Sequence, residues 1–155
     1  EAARGEGRGG SGGAVSSWAF LSRFDIRDEA TGELYLRRWR VVQTPWFAVY
    51  VHRILRPDKD RDLHDHPWSF VSWVLWGWYR EVRAARDGWF SRPRHLRRWL
   101  SLAWHRAERA HRIIEVRPGG VWTLVLTGRR RREWGFHTRR GWVDWRRYLG
   151  VEAES

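Results

Sequence analysis

The sequence predicts an all-β fold, a barrel or a sandwich, and three observations point to it. Short apolar runs rich in Val, Trp, Tyr and Phe recur along the chain, separated by turn signals such as Thr44-Pro45, Asp87-Gly88, Pro118-Gly119-Gly120 and Thr127-Gly128. Strands at short spacing with such punctuation make sandwiches or barrels. No segment holds a helical period for more than a few turns, and no internal repeat is present. Tryptophan is abundant, 14 residues in 155, which suits a small β domain whose buried area comes from aromatics.

The elements follow in chain order. Residues 1–17 are Gly/Ser/Arg-rich, lack apolar periodicity and read as a disordered tail. A single domain spans 18–150, an ordinary size for one core, with a short tail at 151–155. Trp18-Ala19-Phe20-Leu21 opens the domain as a short helix or docking segment. Residues 33–42 form a strand that Thr44-Pro45 ends. Residues 46–55 form a second, with Phe47, Val49 and Val51 on one face and Tyr50, His52 and Ile54 on the other. A polar loop, Arg56-Pro57-Asp58-Lys59-Asp60, then delivers the chain to His64.

Residues 63–82 read as one long strand, or two joined by a bulge near Gly77. His64, His66, Trp68, Phe70, Ser72 and Val74 share one face; Val71, Trp73 and Leu75 share the other. A strand apolar on both sides is covered on both sides. The N-terminal strands or a second subunit would supply the outer cover, so a homodimer is expected. Residues 83–98 are charged and broken by Gly88 and Pro93, a loop excursion. Residues 99–116 resume β character, 121–126 are a clear strand, 127–130 a turn and 132–138 the return strand. Residues 141–148 close the fold with alternating aromatics, and Gly135 allows a neighbouring backbone to come close.

Composition excludes some chemistry. With no Cys there is no disulfide, thiolate nucleophile or Cys-ligated zinc. The net charge of +12 invites a nucleic-acid reading. Yet every basic residue except Lys59 is Arg, and the arginines spread from Arg4 to Arg147 with one tight run, Arg129 to Arg132. That distribution fits a solvated basic exterior better than a binding patch. The apolar run 68–79 is about half a membrane span, and no secretory signal is visible. A cytoplasmic protein without a membrane partner is the expectation.

The chemistry centres on Asp62-Leu63-His64-Asp65-His66-Pro67-Trp68. Side chains at i and i+2 of a strand point the same way, roughly 6.5–7 Å apart, so His64 and His66 offer a metal two imidazoles. His111 is the choice for a third; His52 or His137 replaces it if the strand order differs, and otherwise both are structural. If His111 points inward, so does Arg109, a candidate clamp for a substrate carboxylate. Trp68 and Phe70 would line the other wall and keep it dry. Glu115 and His105 lie about 13 and 20 Å from His111 along an unbroken strand, which rejects both as co-ligands. Glu81 reads as a surface or inter-strand ion pair. Three neutral imidazoles suit Fe, Zn, Cu or Ni, and without a carboxylate the bound ion stays electrophilic and favours anionic ligands.

His-x-His, Gly77 eleven residues after His66 and a later strand bearing His111 together resemble the two-motif signature of the cupin superfamily. Aligned on Gly77, the position where cupins carry Glu holds Phe70. That departure leaves a three-histidine site, similar to the cysteine-dioxygenase-like cupins, which often carry an Asp where Asp65 stands. Gly77-Trp78-Tyr79-Arg80-Glu81, His111-Arg112, Trp122-Thr123-Leu124-Val125-Leu126-Thr127-Gly128, Trp134-Gly135-Phe136-His137 and Gly141-Trp142 also resemble small cupin-like proteins of phages and bacteria, over about 46–148. The resemblance implies a double-stranded β-helix (jelly-roll) barrel with a divalent metal in its mouth: Fe first, then Zn, Ni, Cu or Mn. It implies a dioxygenase-like enzyme acting on a small molecule, with isomerisation or hydrolysis open, in a bacterial host's cytoplasm if phage-encoded. The alternatives are a non-catalytic ligand-binding or phage structural module, and nucleic-acid binding through Arg and Trp.

Overall fold

β1 (Ala19–Arg27), β2 (Leu34–Gln43) and β3 (Ala48–Ile54) form an antiparallel meander. The structure is a computed structural model, and it describes residues 19–28, 31–84 and 94–151. The expected tail 1–17, residues 152–155 and much of the expected loop 83–98 lie outside those residues. Of the segment 18–21, expected as a helix or docking piece, Trp18 lies outside the described residues and the rest starts β1, because Ala19 and Phe20 pair with Gln43 and Val42.

The expected long strand 63–82 breaks into three. β4 (Leu63–His64), β5 (Phe70–Trp76) and β6 (Trp78–Arg83) belong alternately to two sheets. Pro67 lacks an N–H for a ladder, and the neighbouring amides turn elsewhere: Asp65 N donates to Gly135 O and His66 N to Ala107 O, both at 3.0 Å. Gly77 then reverses the chain at φ +87°, where a Cβ would stand 3.0 Å from Gly120 O. β7 (Arg94–Arg98) falls within the expected loop and pairs with β6. β8 (Leu102–His105) and β9 (His111–Val116) divide the expected strand 99–116 between the sheets. β10 (Val121–Thr127), β11 (Gly135–Thr138) and β12 (Gly141–Asp144) follow as expected, but Trp145–Tyr148 is a short helix, α1, capped by Asp144 accepting from Arg146 N.

The first sheet runs β1-β2-β3-β10-β5-β8 and the second β12-β11-β4-β9-β6-β7. Between them pack Leu36, Ile54, Val74, Tyr79, Ile113 and Val121. Burying a Val or Ile side chain contributes about 1.5–3 kcal/mol, and Val74 and Val121 are 1% and 0% exposed. A second cluster, Ala48, Tyr50, Phe70 and Val125 with Trp68 against it, forms the wall next to the histidines. The N-terminal strands extend the first sheet instead of covering β5, so the outer side chains Trp73, Leu75 and Trp76 remain exposed.

Candidate metal centre

His64 on β4 and His111 on β9 are cross-strand partners. Directly opposed residues stand about 4.5–5.5 Å apart, and the two rings lie 5.2 Å apart. His66 has left the strand, yet its ring sits 5.2 Å from His64 and 5.0 Å from His111. One nitrogen from each of the three lies within 4.8 Å of the others. His66 Nε2 and His111 Nε2 are 2.8 Å apart.

A buried carboxylate decides which His111 nitrogen carries the proton. Glu81, expected in a surface or inter-strand ion pair, does pair between strands, with Arg97 of β7, but it is wholly buried behind His111 and not at the surface. Its Oε2 lies 2.9 Å from His111 Nδ1. Its Oε1 accepts from Arg83 Nε at 2.9 Å and Arg97 Nε at 2.8 Å. Burial raises its pKa, but the His111 hydrogen bond and the Arg83 charge more than offset that, leaving it well below the carboxylate range. An ionised carboxylate only accepts, so Nδ1 of His111 donates. With Nδ1 engaged by Glu81, Nε2 is the His111 nitrogen left facing the cluster.

His64 has its own carboxylate. Asp58 Oδ2 lies 4.0 Å from His64 Nδ1 and accepts from Ile113 N at 2.7 Å, while Tyr35 donates to Oδ1. Burial holds His64 down to about 4, against the opposing pull of Asp58. Burial, then the other histidines, puts His66 well below its ordinary value too. Burial thus favours the neutral rings of His64 and His66, the form in which imidazole binds a metal.

His105, rejected by strand counting, lies here. The turn 106–110 folds the chain back, so the ring of His105 is 4.9 Å from that of His111 and stacks on Phe70 at 4.3 Å. Burial holds it down at about 2, and its Nε2 accepts from Arg83 at 3.2 Å. Glu81, His105 and His111 are a second group whose donor atoms lie within 4.8 Å of one another. There the carboxylate and the His105 nitrogen already accept from guanidinium groups, which oppose a cation; in the three-imidazole group the Nε2 atoms of His66 and His111 face each other instead.

The same turn corrects Arg109. It precedes β9, half-buried, with its amide donating to Arg106 O at 3.1 Å, so strand parity does not aim it at the histidines; its charge is felt at His95. Phe70 does line the cluster, its ring 4.8 Å edge-on to His66, and Trp68 packs on the adjoining wall. Arg38 was missed. It lies on β2 over the Tyr50 ring at 5.2 Å, donates to His52 Nε2 at 3.1 Å, and its charge reaches His66. His52 is thus engaged by Arg38, and His137 by Asp65.

Asp65, between the two histidines, is a structural pin. Wholly buried, it accepts from Arg132 Nη1 at 2.6 Å, Gly135 N at 2.8 Å, Trp142 Nε1 at 3.0 Å and His137 Nε2 at 3.1 Å. It clamps the β11–β12 hairpin to the segment that carries His64 and His66. The alternation of Tyr79, Glu81 and Arg83 was the signal that could have placed Glu81 inside.

Neither a protein-family model nor a curated protein sequence matches the chain. Solved structures do. A cupin 2 conserved barrel domain protein from Rhodopseudomonas palustris superposes with a TM-score of 0.60 at 10% identity, covering 78% of this chain and 80% of that one. A cupin-2 domain from Rhodospirillum rubrum gives 0.59 at 10%, covering 78% of each. Fe(II)-HppE with an alternative substrate gives 0.53 at 13%, covering 70% of this chain and 55% of its own. The chain thus spans little more than half the length of that protein. At such identities the likeness is one of fold, and the fold of this chain is the cupin-type double-stranded β-helix barrel.

Proposed function

We propose that this protein is a metal-dependent enzyme of cupin type, with His64, His66 and His111 holding a divalent ion. One observation carries the reading: three imidazoles converge with a nitrogen of each within 4.8 Å of the others, and Glu81 engages His111 Nδ1 so that Nε2 faces the others. The donor set fits the group, since imidazole suits Fe, Zn, Cu and Ni and an orienting carboxylate behind a ligand histidine is the usual support. Fe is the first choice, because Fe(II)-HppE shares the fold; Zn, Ni, Cu and Mn follow. Three protein ligands leave open positions, through which a bound ion would polarise a substrate directly attached to it.

The chain's own residues do the rest. Phe70 and Trp68 keep one wall apolar. Arg38 brings positive charge toward His66, and the absence of a carboxylate among the three ligands leaves that charge uncancelled. The substrate class that fits is a small polar or anionic molecule. A dioxygenase-like reaction is the leading assignment, with isomerisation or hydrolysis behind it.

Metal analysis of the purified protein tests the centre, followed by oxygen uptake with candidate thiols and organic acids. One ion per chain is expected, lost in His64→Ala. A metal-free native protein that takes up no Fe, Zn, Ni, Cu or Mn on titration would refute the centre. A loaded protein inert toward every such substrate would instead favour a ligand-binding module.

A further inference from the structure

We propose that the outer face of the first sheet is a homodimer interface, packed against the same face of a second copy. This rests on the sheet's surface alone and is independent of the metal centre.

Among the described residues the face is apolar, continuous and open. On the strands β8, β5 and β10, Trp104 stands opposite Val71, which stands opposite Leu126; in the next row Leu102, Trp73 and Leu124 are opposed in the same way. The rows continue onto β3 with Val49 and Val51. Alternation fixes the side they occupy: Phe70, Ser72, Ala103, His105 and Val125 point inward and are buried, while Trp104, Leu102, Trp73 and Leu126 are 60%, 66%, 39% and 47% exposed. Half-exposed tryptophans and leucines offer roughly 100 Å² each, by the usual size of such side chains. With Leu75 and Trp76 and the half-buried valines, the face offers on the order of 700–800 Å² per protomer, the share each partner gives to a standard interface. It exceeds the roughly 300–600 Å² of the largest patch on an ordinary monomer.

A strained turn adds to the exposure. Leu100 holds φ +64°, a left-handed conformation that costs a non-glycine residue about 1–2 kcal/mol. The result of that strain is an apolar side chain 56% exposed at the edge of the face. There Leu100, Leu102 and Trp73 line a shallow hollow of about 340 Å³. Trp104 projects two residues further along the same strand. A two-fold axis brings the projection of each copy toward the hollow of the other, the self-complementary arrangement of an isologous interface. Two twisted sheets stacked face to face pack about 10 Å apart with their strands about 30° from aligned.

Charge selects the occupant. The chain carries 30 Lys and Arg, yet none lies in the two rows across β8, β5, β10 and β3. The cations of this face stand at its margins: Arg23 at the β1 end of the second row, Arg117 over Trp76 at 4.1 Å, and in the row beyond Arg53 over Trp122 and Arg37 paired with Asp25 at 2.8 Å. An acidic protein or a nucleic acid would find no charge to meet in the centre. Two copies, each of net charge +12, repel everywhere except across a surface without fixed charge, and this is such a surface.

Sedimentation velocity at 1–100 µM tests the proposal on the full chain, on Trp104→Arg and on Leu126→Arg. The two substitutions lie on different strands of one face, and both side chains are solvent-exposed, so circular dichroism and the melting temperature should match the parent. The expected result is a dimer for the parent, persisting in 1 M NaCl because no ion pair holds it. Each variant should dissociate at least ~30-fold more readily, the effect of losing a central interface residue. If one variant fails to fold, the other answers alone. A parent that is monomeric throughout, a dimer that salt dissolves, or folded variants that dimerise as tightly as the parent would each overturn the assignment.

Discussion

Glu81→Gln tests the link between the buried ion network and the metal centre. The substitution keeps the size and removes one charge. In the parent, one carboxylate oxygen accepts from Arg83 and Arg97 at 2.9 and 2.8 Å, and the other lies 2.9 Å from His111 Nδ1. Gln has one oxygen and one NH₂, and guanidinium groups only donate. The amide oxygen must therefore turn to the two arginines, which leaves the NH₂ facing His111. To accept from it, His111 moves its proton from Nδ1 to Nε2, and the lone pair that faced His64 and His66 disappears. Loss of such an orienting partner weakens metal binding about 10–100-fold. Removing a buried counter-charge from two guanidiniums destabilises the fold by about 3–5 kcal/mol. Two measurements separate these effects. Chelator competition, run well below the variant's melting point, should show the weaker affinity. Nitrogen-15 shifts of the imidazoles in metal-free protein should show His111 Nε2 unprotonated in the parent and protonated in Glu81→Gln. An unchanged tautomer, together with affinity within two-fold of the parent, would refute the reasoning.

Two further outcomes follow from the geometry. Gly135→Ala should prevent folding or lower the melting temperature severely, because its Cβ would lie 2.1 Å from Val143 O and 2.9 Å from the Trp142 ring; a variant melting like the parent would mean the β11–β12 hairpin is not this tight. Metal-free protein should lose stability in mild acid: His64 falls to about 4 on burial and His105 to about 2, so between the unfolded value near 6.5 and those folded values the unfolded chain binds more protons. Stability is then full above about pH 6.5 and falls with pH, by about 2 kcal/mol per such histidine at pH 5. Urea midpoints at pH 7.5 and pH 5 check this, and equal midpoints would contradict it.

What could be read in the chain was local, and what could not was set by reversals. His64 and His66 come together as their spacing suggests, although a strand contains only the first of them. His111 meets them because β4 and β9 pair, a register that the apolar pattern left room for. Counting along an unbroken strand put His105 far from His111; the turn at 106–110 brings their rings to 4.9 Å, and it leaves Arg109 outside the strand whose parity was used to aim it. The apolar outer face of β5 was legible as a surface needing cover. Its neighbours in the chain proved to lie beside it and not over it, because hydrogen bonding of β2, β3 and β10 extends the sheet sideways.

The Phe70 and Glu81 pair shows what such reversals can do. Where a cupin-like motif would place a carboxylate among the ligands, this chain places a phenyl ring, 4.8 Å from His66 and stacked on His105. After Gly77 turns the chain into the second sheet, Glu81 returns a carboxylate to the same centre from behind, onto the far nitrogen of His111. Its charge is spent on Arg83 and Arg97 instead of on an ion. A metal held by the three imidazoles would therefore keep its full charge, with the Phe70 ring against His66 and the Arg38 charge adding to the positive field. In the proposed function, a carboxylate behind a ligand instead of beside the ion would favour an anionic substrate over a neutral one.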